Sequence, residues 1–269
     1  MSKILDGKII RDEIIIKLKK EIEGLKTKPI LAIIQIGDLA ESNKYIKAKK
    51  SFDEKIGAEV QHLKFANDIL QTEIVLEIQR LNQDQTITGI IVQLPLPKHL
   101  LVNEIINAID PRKDVDGLTE NSPFTPATAK GILTMLNYYK INPTGKKVTV
   151  MGRSKLVGQP IAKALTGLGA EVSVVHSKTE NPKEITRSAD ILIVAIGKTN
   201  LVDDSYLKKD QIVIDVGINL DGDRLVGDVN FDKVKGLVSA ITPVPGGVGP
   251  LTVASLFENL VEAYKRQYN

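Results

Sequence analysis

KKVTVMGRSKLVGQP, residues 146–160, is the stretch on which the reading of this chain turns. Val148, Val150 and Met151 predict a short buried strand, Gly152 closes it, and a helical pattern begins near Gly158. A strand, a glycine-bearing turn and a helix in that order can open a nucleotide-binding α/β sheet. Glycine lets a phosphate approach the backbone N–H groups at the helix N-terminus. The stretch is not G-x-G-x-x-G, and no Lys-Ser/Thr follows Gly158, so it is not a Walker loop either. On its own it is also what any strand-to-helix turn could hold.

Working outward, the downstream chain predicts strands at AEVSVVH (170–176), ADILIVAIG (189–197) and QIVIDVG (211–217). A dinucleotide fold selective for NAD usually ends its second strand in an acid that binds the ribose 2′-hydroxyl. Here that strand ends in His176-Ser177-Lys178, and Arg153 lies in the first turn. Cationic and hydroxyl groups suit a 2′-phosphate, which favours NADP over NAD. Upstream, a helix is expected over 127–139. Before it lies DPRKDVDGLTENSPFTP (110–126), polar, rich in turn formers and the best boundary candidate. Further back, helices are expected over 7–25, 40–56, 71–82 and 100–109. Between them, strands are expected at ILAIIQIG, EVQHLKF and TGIIVQLPLP. Such alternation predicts parallel sheets covered by helices, arranged as two α/β lobes with a cleft between them. TPVPGGVGP (242–250) interrupts the pattern before a last helix over 251–266.

Composition narrows the chemistry. The 269 residues are 42% hydrophobic and 26% charged, ordinary values for a globular protein of one or two domains. Lys and Arg number 36 against 33 Asp and Glu, a scattered excess that points to neither nucleic acid nor membrane. The absence of cysteine excludes disulfides and thiolate chemistry. His62, His99 and His176 lack ligand spacing, so no metal site is expected. Asp6, Asp12 and Glu13 argue against a secretory or transit segment, and the cytoplasm is the expected compartment.

Several residues could carry chemistry. Tyr45 and Lys49 are four apart on one predicted helix and share a face. Such a pair could position a planar substrate and move a proton. Spacing alone favours a plainer alternative, a solvent-facing lysine beside a half-buried tyrosine, because Lys44, Lys47 and Lys50 crowd the same helix. Gln93 ends an apolar strand, where open α/β sheets bind ligands, or simply caps it. Asp114 and Asp116 in KDVDG could hold a polar ligand edge or stabilise their own turn. Gly246, Gly247 and Gly249 offer backbone donors beside a helix start, or a rigid connector.

The motifs SNKYIKAKK, GIIVQLPLP, KDVDGL, GRSKLVGQP, HSKT, VIDVGIN, LVGDV and TPVPGGVGPLT follow one another in an order that decides more than any one of them. From Asp6 to the last helix, the chain resembles the bifunctional methylenetetrahydrofolate dehydrogenase/methenyltetrahydrofolate cyclohydrolase (FolD) family. The resemblance implies that Tyr45 packs on the folate ring, Lys49 is catalytic, Gln93 hydrogen-bonds Lys49 and tunes its protonation, and Asp116 anchors the pterin-like end. Gly246, Gly247 and Pro250 would lie in a loop beside substrate and nicotinamide. Gly152, Arg153, Ser154, Gly158, His176, Ser177, Gly197, Gly217 and Ile218 would bind NADP. It further implies a folate-binding catalytic domain over 1–118, with helix 254–269 packing back on it, and a Rossmann-like NADP-binding domain over 119–253. The implied partners are tetrahydrofolate one-carbon derivatives and a second copy of the chain, in a homodimer. The implied reaction is oxidation of 5,10-methylene-tetrahydrofolate by NADP, then hydrolysis of the methenyl product to 10-formyl-tetrahydrofolate.

One segment departs from the family pattern. After KDVDGL the usual stretch is longer, carries Asn-x-Gly-x-Leu and ends Pro-Cys-Thr-Pro; here only TENSPF intervenes and Pro126-Ala127-Thr128-Ala129 stands at its end. The shortening after Leu118 sets a second expectation, a dehydrogenase with weak or lost cyclohydrolase activity.

Overall fold

The computed structural model describes residues 2–222 and 224–268. In chain order they form β1 (Lys3–Ile4), α1 (Gly7–Glu23), β2 (Ile30–Ile36), α2 (Ala40–Ile56), β3 (Glu59–Phe65) and α3 (Gln71–Gln83). There follow β4 (Gly89–Val92), α4 (Val102–Asn107), α5 (Ala127–Tyr138), β5 (Lys147–Met151), α6 (Gly158–Gly167) and β6 (Glu171–Val175). The rest is α7 (Pro182–Ser188), β7 (Ile191–Val194), β8 (Ile212–Asp215), β9 (Asn219–Asp221), β10 (Arg224–Val226), α8 (Phe231–Val234), β11 (Ala240–Ile241) and α9 (Val248–Tyr268).

Two compact units result: Met1–Asp12 with Thr128–Thr252, and Glu13–Ala127 with Val253–Asn269. These limits differ from the boundaries near Leu118 and Ala254 drawn from sequence, for reasons of pairing. β1 joins β11 through the Lys3–Ala240 and Ile4–Ile241 registers, which puts the first residues with the larger sheet. Residues 119–127 stay with the smaller one, where the N–H of Ala127 donates to the Asp116 carbonyl at 3.1 Å.

In the unit built on Glu13–Ala127, β3, β2 and β4 form a parallel sheet in that order. β4 is buried along its whole length and β2 nearly so, because helices cover both faces of such a sheet. Ile34, Ile74, Ile78, Leu81, Ile90 and Ile105 pack there without measurable exposure. The other unit holds a six-stranded sheet ordered β1-β11-β8-β7-β5-β6, parallel throughout. Its core gathers Leu192, Val194, Val202, Val213, Val234 and Ile241.

Strand order locates the binding edges. In the small sheet β3 lies on one side of β2 and β4 on the other, and in the large sheet β6 and β7 flank β5 in the same way, so a crevice opens where the direction reverses. In the small sheet that point is between β2 and β4; in the large sheet it is between β5 and β7.

Candidate active site

Gln93 sits just past the end of β4, at the reversal point of the small sheet, and its N–H donates to the Ile34 carbonyl of β2 at 2.8 Å. α2 follows β2 and carries Tyr45 and Lys49, both half-buried, while Lys44, Lys47 and Lys50 are exposed. The burial of Ile46, Phe52 and Ile56 turns that face inward. Two contacts fix the helix: Phe52 stacks on Phe257 of α9 with centroids 5.0 Å apart, and the Gln35 side chain donates to Asn43 Oδ1 at 2.7 Å. The Lys49 Nζ then donates to Gln93 Oε1 at 2.8 Å. An ammonium can only donate, so the amide must turn its oxygen toward Lys49. Its nitrogen donates to the Leu94 carbonyl at 2.8 Å, which holds that orientation.

Burial lowers the Lys49 pKa to about 8, opposed by the negative charge of Asp116. The same burial pushes the Asp116 carboxyl up, opposed by Lys49. Burial and the charge of Glu41 raise the Tyr45 hydroxyl to about 12, so it stays protonated at neutral pH. The spacing alternative, a solvent-facing Lys49, does not hold.

The remaining residues of KDVDG serve the loop. Lys113 is buried and its Nζ donates to the carbonyls of Leu81 at 2.9 Å and Asp84 at 2.6 Å, closing the C-terminal end of α3. Asp114 accepts from the N–H groups of Gly117 at 3.0 Å and Thr119 at 2.7 Å, the turn-stabilising option. The Asn259 side chain on α9 donates to the carbonyls of Val115 at 2.9 Å and Thr125 at 3.0 Å, one on each side of the short TENSPF segment. The roles of Lys113 and Asn259 carried no signal in sequence, since a charged residue and a distant amide look like surface.

In the larger unit, Gly152 and Gly197 stand at the ends of β5 and β7, at the second reversal point. Gly152 has φ 128°, and a Cβ there would lie 2.1 Å from the Ala195 carbonyl oxygen, so only glycine lets these strand ends meet. Arg153, Ser154 and Ser177 are exposed at this edge and His176 is half-buried. Ser154 Oγ accepts from the N–H groups of Val157 at 3.1 Å and Gly158 at 3.3 Å, capping α6 in addition to any contact with a ligand. Gly217 and Ile218 follow β8. A backbone shaped for close approach, an exposed arginine and a capped helix start of ten residues fit a dinucleotide with a phosphorylated ribose. The glycine-rich stretch is shorter as a loop than expected, because α9 begins at Val248 and takes in Gly249 and Pro250; Gly246 and Gly247 remain outside it, buried. Among the described residues no group of acids and histidines could hold a metal ion, and no helix is long and apolar enough to cross a membrane.

Two family models match this chain: the catalytic domain of tetrahydrofolate dehydrogenase/cyclohydrolase over residues 5–116, and the NAD(P)-binding domain of the same enzymes over residues 126–268. The chain belongs to the tetrahydrofolate dehydrogenase/cyclohydrolase family. It is 43% identical to the bifunctional protein FolD of Agathobacter rectalis, over 99% of this chain and 100% of the relative. The solved structure of bifunctional FolD from Campylobacter jejuni superimposes with a TM-score of 0.95 at 40% identity, covering 99% of each chain. That of the Trypanosoma brucei FolD, complexed with NADP cofactor and inhibitor, gives 0.93 at 32% identity over 98% of each. The two-domain, Rossmann-like α/β fold expected from sequence is the fold of this family. The expectation of a lost cyclohydrolase gains no support from these relatives, which are bifunctional, and across this chain's shortened segment after Leu118 the N–H of Ala127 donates to the Asp116 carbonyl.

Proposed function

We propose that Lys49, hydrogen-bonded to Gln93 and facing the charge of Asp116, manages the proton in the hydrolytic half of a two-step folate reaction. The protein is an NADP-dependent enzyme that oxidises 5,10-methylene-tetrahydrofolate to the methenyl cation, then hydrolyses it to 10-formyl-tetrahydrofolate. The observation that carries the role of Lys49 is its 2.8 Å bond to Gln93 together with a pKa lowered to about 8.

The cofactor, when bound, supplies the acceptor for the hydride. Gly152, Arg153, Gly158, His176, Ser177, Gly197, Gly217 and Ile218 are the residues that would hold it, with Ser154 organising the helix start. For this step the folate-side residues need only orient the substrate: Tyr45 offers a ring face and Asp116 accepts from N–H groups of the pterin end. Gly246, Gly247 and Pro250 complete the proposed substrate-binding set.

Hydrolysis asks more of the protein. Water adds to the methenyl carbon and loses a proton, and the free base of Lys49 accepts it at Nζ. The lysine then returns that proton to N5 as the bond from carbon to N5 breaks, the hydroxyl proton of the adduct passes to solvent, and the new carbonyl leaves the formyl group on N10. Gln93 suits this cycle because its neutral oxygen accepts from Lys49 in either protonation state and does not lock it as an ammonium. A coupled assay tests the reading, with NADPH and methenyl-tetrahydrofolate followed separately on one sample. NADPH should form on addition of methylene-tetrahydrofolate, and supplied methenyl-tetrahydrofolate should decay faster than in buffer. No NADP reduction would refute the dehydrogenase, and decay at the buffer rate would refute the hydrolytic role.

A further inference from the structure

Two buried carboxylates at the binding edge of the large sheet take no part in the chemistry above. Asp228, fully buried, accepts through Oδ2 from the N–H groups of Ile196 at 2.7 Å and Gly197 at 2.9 Å. Its Oδ1 accepts from the N–H of Lys198 at 2.7 Å and the side-chain amide of Asn219 at 2.9 Å. Asp215, at the end of β8, accepts through Oδ1 from the N–H groups of Gly217 at 2.9 Å and Asp228 at 3.1 Å, and through Oδ2 from that of Val229 at 2.9 Å.

The two acids interlock with two glycines. A Cβ on Gly217 would lie 2.1 Å from Asp228 Cγ, and one on Gly227 would lie 1.8 Å from Asp215 Oδ2. The sequences Asp215-Val216-Gly217 and Gly227-Asp228 therefore form one latch, each glycine leaving room for the other segment's carboxylate. Three successive N–H groups turned onto one anion form a nest, a backbone shape that does not persist in the interior without the charge at its centre. Burial and the neighbouring Asp228 push the Asp215 carboxyl up to about 7, so holding two acids this close carries a cost that the hydrogen bonds offset.

We infer that Asp228, backed by Asp215, is a positioning residue for NADP: it shapes the backbone leaving β7 at 196–198 and the segment 217–219, and these segments in turn receive the cofactor. The inference rests on the reading that NADP lies at this edge. An asparagine cannot replace Asp228, because both oxygens already accept from donors and an amide would turn its NH2 onto one pair of them whichever way it faced.

The test uses the full-length protein carrying Asp228→Asn and, as a milder change, Asn219→Ala, which removes one of the four donors. Three readouts are taken: the Kd for NADP by calorimetry, amide hydrogen exchange at 196–198 without NADP, and the KM for methylene-tetrahydrofolate. Asp228→Asn should speed exchange at those amides and weaken NADP by roughly tenfold or more, as expected for losing a charged acceptor. Asn219→Ala should weaken NADP about threefold, and in both the folate KM should move much less. An NADP Kd close to that of the wild type in both variants would overturn the inference. So would equal losses for NADP and folate, which mean general damage. If Asp228→Asn does not fold, Asn219→Ala decides alone. Wild-type protein that binds no NADP would instead overturn the placement of the cofactor.

Discussion

Four lysines lie between positions 44 and 50, and only Lys49 is drawn in from solvent. Its pKa of about 8, set first by burial, leaves roughly one molecule in ten with the free base at neutrality, enough for a proton-accepting role. The sign of the stability effect follows. Between pH about 8 and the ordinary lysine range, the folded protein has shed a proton that the unfolded chain keeps, so stability rises with pH across that window, and the cost of burial is fully present below it. Lys49→Met should therefore abolish methenyl hydrolysis, and should raise the melting temperature more at pH 7 than at pH 10. Gln93→Glu sharpens the case, because a carboxylate 2.8 Å away would hold the lysine charged. The hydrolysis rate in that variant should climb only at higher pH, its midpoint moved up by ~1 unit or more. A pH profile superimposable on that of the wild type would show that Lys49 titration does not control the step.

At the scale of elements, KDVDG is a loop whose parts face four ways. Lys113 holds the end of α3, Asp114 closes the turn, Val115 enters the core, and Asp116 is left to interact with Lys49. The sequence shows two carboxylates in a turn and does not say which one the turn consumes; the answer needs the N–H groups of Gly117 and Thr119 in place. Lys113→Met keeps the length of the side chain and removes both donors to the last carbonyls of α3. The loss of charged hydrogen bonds is offset in part by no longer burying an ammonium, so stability should fall by about 1–2 kcal/mol. Since the same loop bears Asp116, the KM for methylene-tetrahydrofolate should rise while the KM for NADP stays close to wild type. Urea denaturation and steady-state kinetics read the two effects, and an unchanged folate KM would detach Lys113 from the site.

For the molecule as a whole, the alternation of strands and helices was readable from hydrophobic runs and their glycine ends, and so was the order of the motifs. What escaped reading is pairing between segments far apart in sequence. β1 and β11 are two residues each, too short for any periodicity, and exist as strands because they complete the large sheet. The latch of Asp215 and Asp228 is likewise invisible until the β9–β10 hairpin turns the chain back after β8. α9 shows the same principle at larger scale. Its amphipathic stripe by itself predicts a helix and no destination, which came from the family resemblance alone; from Val253 onward it belongs to the unit built on Glu13–Ala127. There Phe257 is wholly buried and stacked on Phe52, three residues after Lys49 on α2. Tyr264 accepts from the N–H of Thr27 at 3.0 Å in the same unit. Phe257→Ala should thus cost about 3–5 kcal/mol, the usual penalty for emptying a packed aromatic site. That is a large part of the stability of an ordinary domain, typically about 5–15 kcal/mol. Because the lost ring supports α2, the hydrolysis rate should fall even under conditions where the variant remains folded. Urea titration with a paired hydrolysis assay checks both, and a loss below about 1 kcal/mol would mean that α9 does not secure the helix bearing Lys49.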